Sequence, residues 1–306
     1  MSVPAPMDID KKKMKKVKIP VSNIAPLIGY DHYGNFPKIV CELWRKYDRD
    51  TFNKLEKEMQ QKEIDIATDS EARRIVRADS KNGTNFMSQI KQINSQTGTS
   101  EHLQKRQKTV IEQIRKTSSL DKEGQDNLIK QIVSTTNKNH GINNESSVLK
   151  KYEAQTGQTI KDGQQSIFFK IAEDDDIGIE WQLHGKYDGM TTCGRLIEAK
   201  KRQKGLFKTL RDYEKVQIQT YMHMKGVKQG SLVESYSTKD ECCIHIINVD
   251  YDQKYVEEFI VGRLQGFAKF FHDFIGNETW KKEVLLGDKK REIYNMYQKI
   301  YINNLE

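Results

Sequence analysis

The segments IGIEWQLHGKYDGM (residues 177–190), TTCG (191–194) and RLIEAKKR (195–202) read as strand, turn and strand: apolar, β-rich runs split by a turn signal. In the last segment Glu198 and Lys200 stand two residues apart, so they share one face of the strand. Burying either charge alone would be expensive, so the pair must neutralise each other, reach water, or hold something between them. Asp188 closes the segment before the turn, and a hairpin here would bring its carboxylate close to Glu198. Clustered carboxylates repel and raise each other's pKa unless a cation lies between them. An oxygen-rich site of that kind suits Mg²⁺ or Mn²⁺, and Lys200 beside it would orient or deprotonate a metal-bound water. The bland alternative is a surface ion pair worth ~0–1 kcal/mol. Spacing alone does not decide between them, because Asp69, Asp79 and Lys81, and Glu278, Asp288 and Lys290, repeat it in polar, turn-like contexts. The strand setting is what singles out residues 188–200.

Outward from this hairpin, QSIFFKIAED reads as a preceding strand, set off by the turn signal DDDIG. A helical stretch from about Leu206 to Lys225 follows it, then strands SLVESYS and CCIHIINV and an amphipathic helix from about Gln253 to Ile275. The order implies an α/β (α+β) fold, a mixed central sheet flanked by helices. All five prolines lie within the first 37 residues, so the rest of the chain should be regular. Residues 1–20 read as a disordered basic arm and residues 21–306 as one domain. The segment 51–140, rich in Gln, Asn, Ser, Thr and Lys, reads as a helical insertion. Its stripes Leu103, Val110, Ile111 and Ile114, then Leu128, Ile129, Ile132 and Val133, have helical spacing; the alternative is a disordered linker.

The 306 residues carry a net charge of +8, which favours an anionic partner such as nucleic acid. Half of that excess falls in the first 20 residues, where Lys11, Lys12, Lys13, Lys15, Lys16 and Lys18 outnumber Asp8 and Asp10. Such a tail serves DNA contact, solubility or nuclear import equally well. No run of 18 apolar residues exists, and the N-terminus lacks the apolar core of a signal peptide, so an intracellular protein with no membrane span is expected. The four cysteines show no CxxC spacing and read as reduced thiols.

Two further segments point towards the same chemistry. In HGINNESSVLKKYEAQTG, Asn143 or Asn144 can cap a helix in which Glu145, Val148, Leu149 and Tyr152 share a face. Glu145 is then either a capping carboxylate favoured by the helix dipole or a third acid of the cluster. In EKVQIQTYMHMKG, Gln217 and Tyr221 share a helix face with Gln219 close to it. Buried amides need partners, and a scissile phosphate, a metal-bound water or the core itself would supply them. The run Lys200, Lys201, Arg202, Lys204, Lys208, Arg211 and Lys215 would track a nucleic-acid backbone, or simply be a solvated face.

Taken together, SNIAPLIGYDHYG with ELW, GINNESSVLKKYEAQTG, HGKYDGM through IEAKK, and VQIQTYM resemble, in that order, the lambda-exonuclease and YqaJ viral recombinase group of the PD-(D/E)xK nucleases. The resemblance implies a restriction-endonuclease-like core and a Mg²⁺-dependent alkaline exonuclease with two ions. Such an enzyme digests one strand of double-stranded DNA from its 5′ end and supplies single strands for recombination or repair. It implies that Asp188, Glu198, the Ala199 carbonyl and Glu145 bind metal, that Lys200 activates water, and that Gln217 or Gln219 holds the water or the phosphate. Ser22 matches the serine near the terminal 5′ phosphate, with Lys18, Lys201, Arg202 and Lys204 as further phosphate contacts. Implied partners are DNA ends, a single-strand annealing protein and further copies of the chain, in the cytoplasm or nucleus of a host cell if the source is a large DNA virus. The sequence departs from the group in Tyr187, which stands where the family has proline, and in the long insertion. The alternatives are an endonuclease or junction resolvase of the same superfamily, and a non-catalytic DNA-binding scaffold.

Overall fold

The computed structural model describes residues 14–61, 88, 91–93, 99–237, 242–287 and 291–303. The first thirteen residues of the expected arm, the stretch 62–87 of the insertion, and the spacing repeats at Asp69, Asp79, Lys81, Asp288 and Lys290 lie outside them.

The strands form a mixed α/β fold with two sheets, where one was expected. The first sheet has the order β1-β4-β3, from β1 (Lys15–Pro20), β3 (Ser166–Asp174) and β4 (Ile179–Lys186), with β1 parallel to β4. The end of the expected disordered arm is therefore a strand. Its period of two is hidden among lysines: Val17 and Ile19 face the core while Lys16 and Lys18 face water. The second sheet runs β2-β5-β6-β7-β8 and adds β2 (Ile160–Gly163), β5 (Gly189–Thr191), β6 (Leu196–Lys201), β7 (Gln229–Ser237) and β8 (Cys242–Asp250). Only β6 and β7 pair in parallel there, joined by helix α6 (Asp212–Lys225). The expected hairpin is cut short, because the chain leaves the first sheet at Lys186 and joins the second at Gly189. Tyr187 and Asp188 occupy the junction.

The largest core is aromatic and ties the two ends of the chain together. The short helix α1 (Ile24–Leu27) precedes α2 (Phe36–Tyr47), which supplies Phe36 and Trp44, both buried. Helix α7 (Gly262–Gly276) supplies Phe267, Phe270, Phe271 and Phe274. Phe36 stacks on Tyr297 with centroids 4.8 Å apart, and Trp181 of β4 meets Phe271 edge-on at 5.1 Å. Full burial of each large side chain contributes ~1.5–3 kcal/mol, more for well-set aromatic pairs. The helix expected over 253–275 begins with a π-helical turn, Tyr255–Val261, before α7. Helix α6 starts six residues later than the sequence suggests, because Gly205 (φ 142°) and Lys208 (φ 58°) take conformations no helix accommodates.

In the insertion, helix α3 (Arg49–Gln61) is followed by α4 (Ser100–Thr117) and α5 (Lys122–Thr156). The last two pair over a small separate core containing Leu103, Val110, Ile114, Leu128 and Ile132. Helix α5 does not stop at residue 140. It runs on unbroken, capped by Asp121 at its start, so Asn143 and Asn144 lie in its interior and cap nothing. Asn144 is buried and turns its amide back to the His140 carbonyl, 2.8 Å away. The far end of α5 lays Val148 and Tyr152 on Ile197, Ala199 and Val233 of the second sheet.

Candidate active site

Strand β6 delivers two faces to two helices. Ile197 and Ala199 point to α5, leaving Glu198 and Lys200 on the other side, where α6 brings Gln217. Glu198 is 3% exposed and Asp188 8% exposed, so both carboxylates are taken out of water. Asp188 Oδ2 accepts the Ala199 backbone N–H at 2.7 Å, which fixes the junction residue against the middle of β6. Lys200 Nζ donates to Glu198 Oε1 at 2.7 Å and to Gln217 Oε1 at 3.1 Å. The second oxygen of Glu198, Oε2, is buried with no hydrogen-bond partner. Glu145, from α5, accepts from Gln164 Nε2 at 3.2 Å, and Lys186 Nζ lies 3.0 Å from Gln164 Oε1.

The electrostatics follow from burial and from like charges. Burial pushes the Asp188 carboxyl well above the usual range, and Glu198 and Glu145 add to the shift. Glu145 is raised by burial and then by Glu198. For Lys200, burial disfavours the ammonium, but Glu198 outweighs it with help from Asp188 and Glu214, and the group is held above its usual range. Lys200 is thus a hydrogen-bond donor to Glu198 and Gln217. Tyr221, on the same helix as Gln217, donates to the Lys186 carbonyl at 3.1 Å, and burial followed by Glu198 lifts its pKa to about 12.

The site therefore has two raised carboxyls, an orphaned buried carboxylate oxygen and an ammonium. This donor set fits a divalent cation, which would complete Glu198 Oε2 and relieve the repulsion between the acids. As they stand, the three acids are more widely spread than a closed ligand set. Among the described residues, the only His, Cys, Asp and Glu side chains with three ligand atoms within 4.8 Å of one another are Asp174, Asp176 and His272. Asp174 and Asp176 sit at the DDDIG turn, which the sequence marks only as a turn, and His272 comes from α7. His272 Nδ1 lies 3.0 Å from Asp174 Oδ2, within hydrogen-bond distance.

The remaining residues singled out from the sequence scatter. Gln219 faces away from the acids: its Nε2 donates to the Asp250 carbonyl at 2.7 Å and its Oε1 accepts from the Asp252 N–H at 2.9 Å. Its amide holds the end of β8, the core role that sequence left open, and Gln217 alone reaches the site. Arg202, expected at a phosphate, is buried and acts as a strut. Its Nε donates to Glu234 Oε1 at 2.6 Å and its Nη1 lies 2.8 Å from Glu214 Oε1. A local basic run gave no sign of this, because both acids come from distant strand and helix. Lys201 reaches Ser237 Oγ, whereas Lys204 and Ser22 are exposed and Lys18 projects from β1. Tyr187, at the family's proline position, is fully buried and donates to Gln165 Oε1 at 3.3 Å. Gln164 and Lys186, which frame Glu145, escaped the sequence reading, since single polar residues at strand ends carry no pattern.

No protein-family model matches this chain, and no curated protein does either. Among solved structures, an alkaline exonuclease from Laribacter hongkongensis aligns at 14% identity over 63% of this chain and 86% of its own, with a TM-score of 0.36. A phage-related exonuclease from Haemophilus somnus aligns at 14% identity over 44% of this chain and 70% of its own, with a TM-score of 0.33.

Proposed function

We propose that this chain is a divalent-metal-dependent deoxyribonuclease that shortens one strand of double-stranded DNA from its 5′ end. The observation that carries the reading is the buried, unpartnered Glu198 Oε2, on a carboxylate whose other oxygen accepts from Lys200 and whose charge helps to raise Asp188. Asp188, Glu198, Glu145 and the Ala199 carbonyl would hold Mg²⁺ or Mn²⁺, in two ions on the two-metal pattern. Bound there, the ions would supply Lewis acidity, making a water more acidic at neutral pH and offsetting phosphate charge. The chain's own groups do the rest. Lys200, kept cationic by Glu198 and aimed by Gln217, donates to a phosphate oxygen and stabilises the charge that grows on it during attack. Gln217, whose side chain bonds Lys200 and also interacts with Tyr221, would be held in position beside the attacking water or the phosphate. Tyr221 and the Lys186 backbone hold the first sheet against this helix, so the acids keep their spacing. Ser22, Lys18 and Lys204 are exposed and available to phosphates away from the cleaved bond. Arg202 and Gln219, which hold partners elsewhere, are given no part in the chemistry.

The test is a linear duplex labelled at its 3′ ends, with and without a 5′ phosphate, incubated with Mg²⁺ or with EDTA and resolved on a denaturing gel. The expected result is Mg²⁺-dependent loss of one strand, leaving the labelled strand long until the opposite end is reached. Nicking of closed circular DNA would redirect the reading to an endonuclease or resolvase. Binding without any cleavage, and unchanged by Asp188→Asn, would leave only a scaffold.

A further inference from the structure

The outer face of the three-stranded sheet carries an aromatic and basic strip of whose side chains the proposed function uses only Lys18. Strand alternation sends Val17, Ile19, Trp181 and Leu183 inward and leaves Lys18, Phe168, His184 and Lys186 on the opposite face. Phe168 is 50% exposed. Its ring stacks on His184, its register partner on β4, with centroids 4.8 Å apart, and Lys18 Nζ lies 4.4 Å from the same ring. A lone exposed Phe would need no explanation. A Phe–His stack flanked by cations on an open sheet is another matter, because core packing accounts for none of it. Of the lysines on this face, Lys16 is matched by Glu180 at 3.7 Å and Lys170 by Glu173. Among the described residues, Lys18 and Lys186 take part in no ion pair. The strip also leads to the acids: Lys186 Nζ bonds Gln164, and Gln164 bonds Glu145.

We infer that this face binds single-stranded nucleic acid, one base stacking on the Phe168–His184 pair while neighbouring phosphates meet Lys18 and Lys186. Charge complementarity selects a polyanion, and the half-open ring selects one with unpaired aromatic bases. A duplex keeps its base faces inside the stack, and an acidic peptide or an anionic membrane would use the lysines but gain nothing from the ring. The inference rests on the nuclease reading for its purpose, which is to hold the strand that is entering or leaving the acidic site.

The test uses the full-length protein in EDTA, so that no cleavage intervenes, with fluorescence anisotropy of labelled oligo(dT) and of an abasic oligomer with the same backbone. Oligo(dT) should bind more tightly. Phe168→Ala should weaken oligo(dT) roughly five- to tenfold, in line with the loss of one stacked base, and leave the abasic oligomer unchanged. Phe168→Leu, which keeps apolar bulk without a π face, should behave like Phe168→Ala, with an unaltered melting temperature for both. Equal affinity for the two oligomers, or no effect of Phe168→Ala, overturns the inference. So does ring-dependent binding to phosphatidylserine vesicles in place of oligo(dT). If the protein shows no Mg²⁺-dependent cleavage while oligo(dT) binding still needs Phe168, the nuclease reading fails and the platform stands; the converse pattern removes the platform alone.

Discussion

Lys200 holds its place through two bonds, one to an acid and one to an amide, and each bond has a separate consequence. Lys200→Ala should lower cleavage by roughly two to three orders of magnitude, the usual effect of deleting one preorganised donor to developing charge. DNA binding measured in Ca²⁺ should persist. Asp188 supplies a pH test. Its folded pKa lies above the unfolded value, so the stability it contributes is complete below ~3.9 and is lost as pH rises through the raised folded value. Thermal melts without metal should show this decline, Asp188→Asn should remove it, and Mg²⁺ should raise the midpoint more at pH 8 than at pH 5. His140 works in the opposite sense. Burial, then Lys201 and Arg106, lower it to about 4, so its contribution fades as pH falls below ~6.5; the comparison with Asp188→Asn separates the two. Arg202→Ala should destabilise the protein by ~3–5 kcal/mol in urea unfolding, since Glu214 and Glu234 would be left as buried charges. The shared face of Glu198 and Lys200 was legible because alternation in a strand is a local rule. The burial of Arg202 was not, because its acids come from elements that only the tertiary fold brings alongside.

Secondary-structure elements differ in how much of themselves they announce. Strands β3, β4, β6, β7 and β8 are apolar enough to be read directly, and the stripes of α4 and α5 gave the helical insertion. Strand β1 was hidden by its own lysines, which are suited to an edge strand and mimic a disordered tail. The short run of α5 around Asn144 suggested a helix start because Asn is a good cap. Only the upstream helix, packed on α4, shows that no start was needed. At Gly185, where β4 meets α6, an added Cβ would lie 2.4 Å from Tyr221 Cε1 and 2.8 Å from Val21 Cγ2. Gly185→Ala should therefore destabilise the protein by ~1–3 kcal/mol through overpacking and also reduce turnover, because Tyr221 must shift. Gln219→Ala and Gln217→Ala form a contrast within one helix. The first should lower the melting temperature and leave kcat nearly intact in the surviving protein, and the second should do the reverse.

Across the whole molecule, the acids are gathered from three places: the junction between sheets, the middle strand of the second sheet, and a helix that belongs in part to the insertion. The charge excess of +8 gives the molecule a long-range bias towards polyanions, so DNA affinity should fall linearly in log–log form as salt rises. Helix α5 has a consequence of its own. It is a rigid axle gripped at both ends, by α4 near Leu128 and by the second sheet near Tyr152, with Glu145 between the grips. Removing one residue, such as Gly141, would rotate one grip against the other by ~100° and shorten the axle by ~1.5 Å, so both could not stay seated. Removing seven residues would nearly restore the angular phase, two full turns less ~20°. The insertion and the acidic centre are thus geared together, and their alignment is set by counting residues along one shaft.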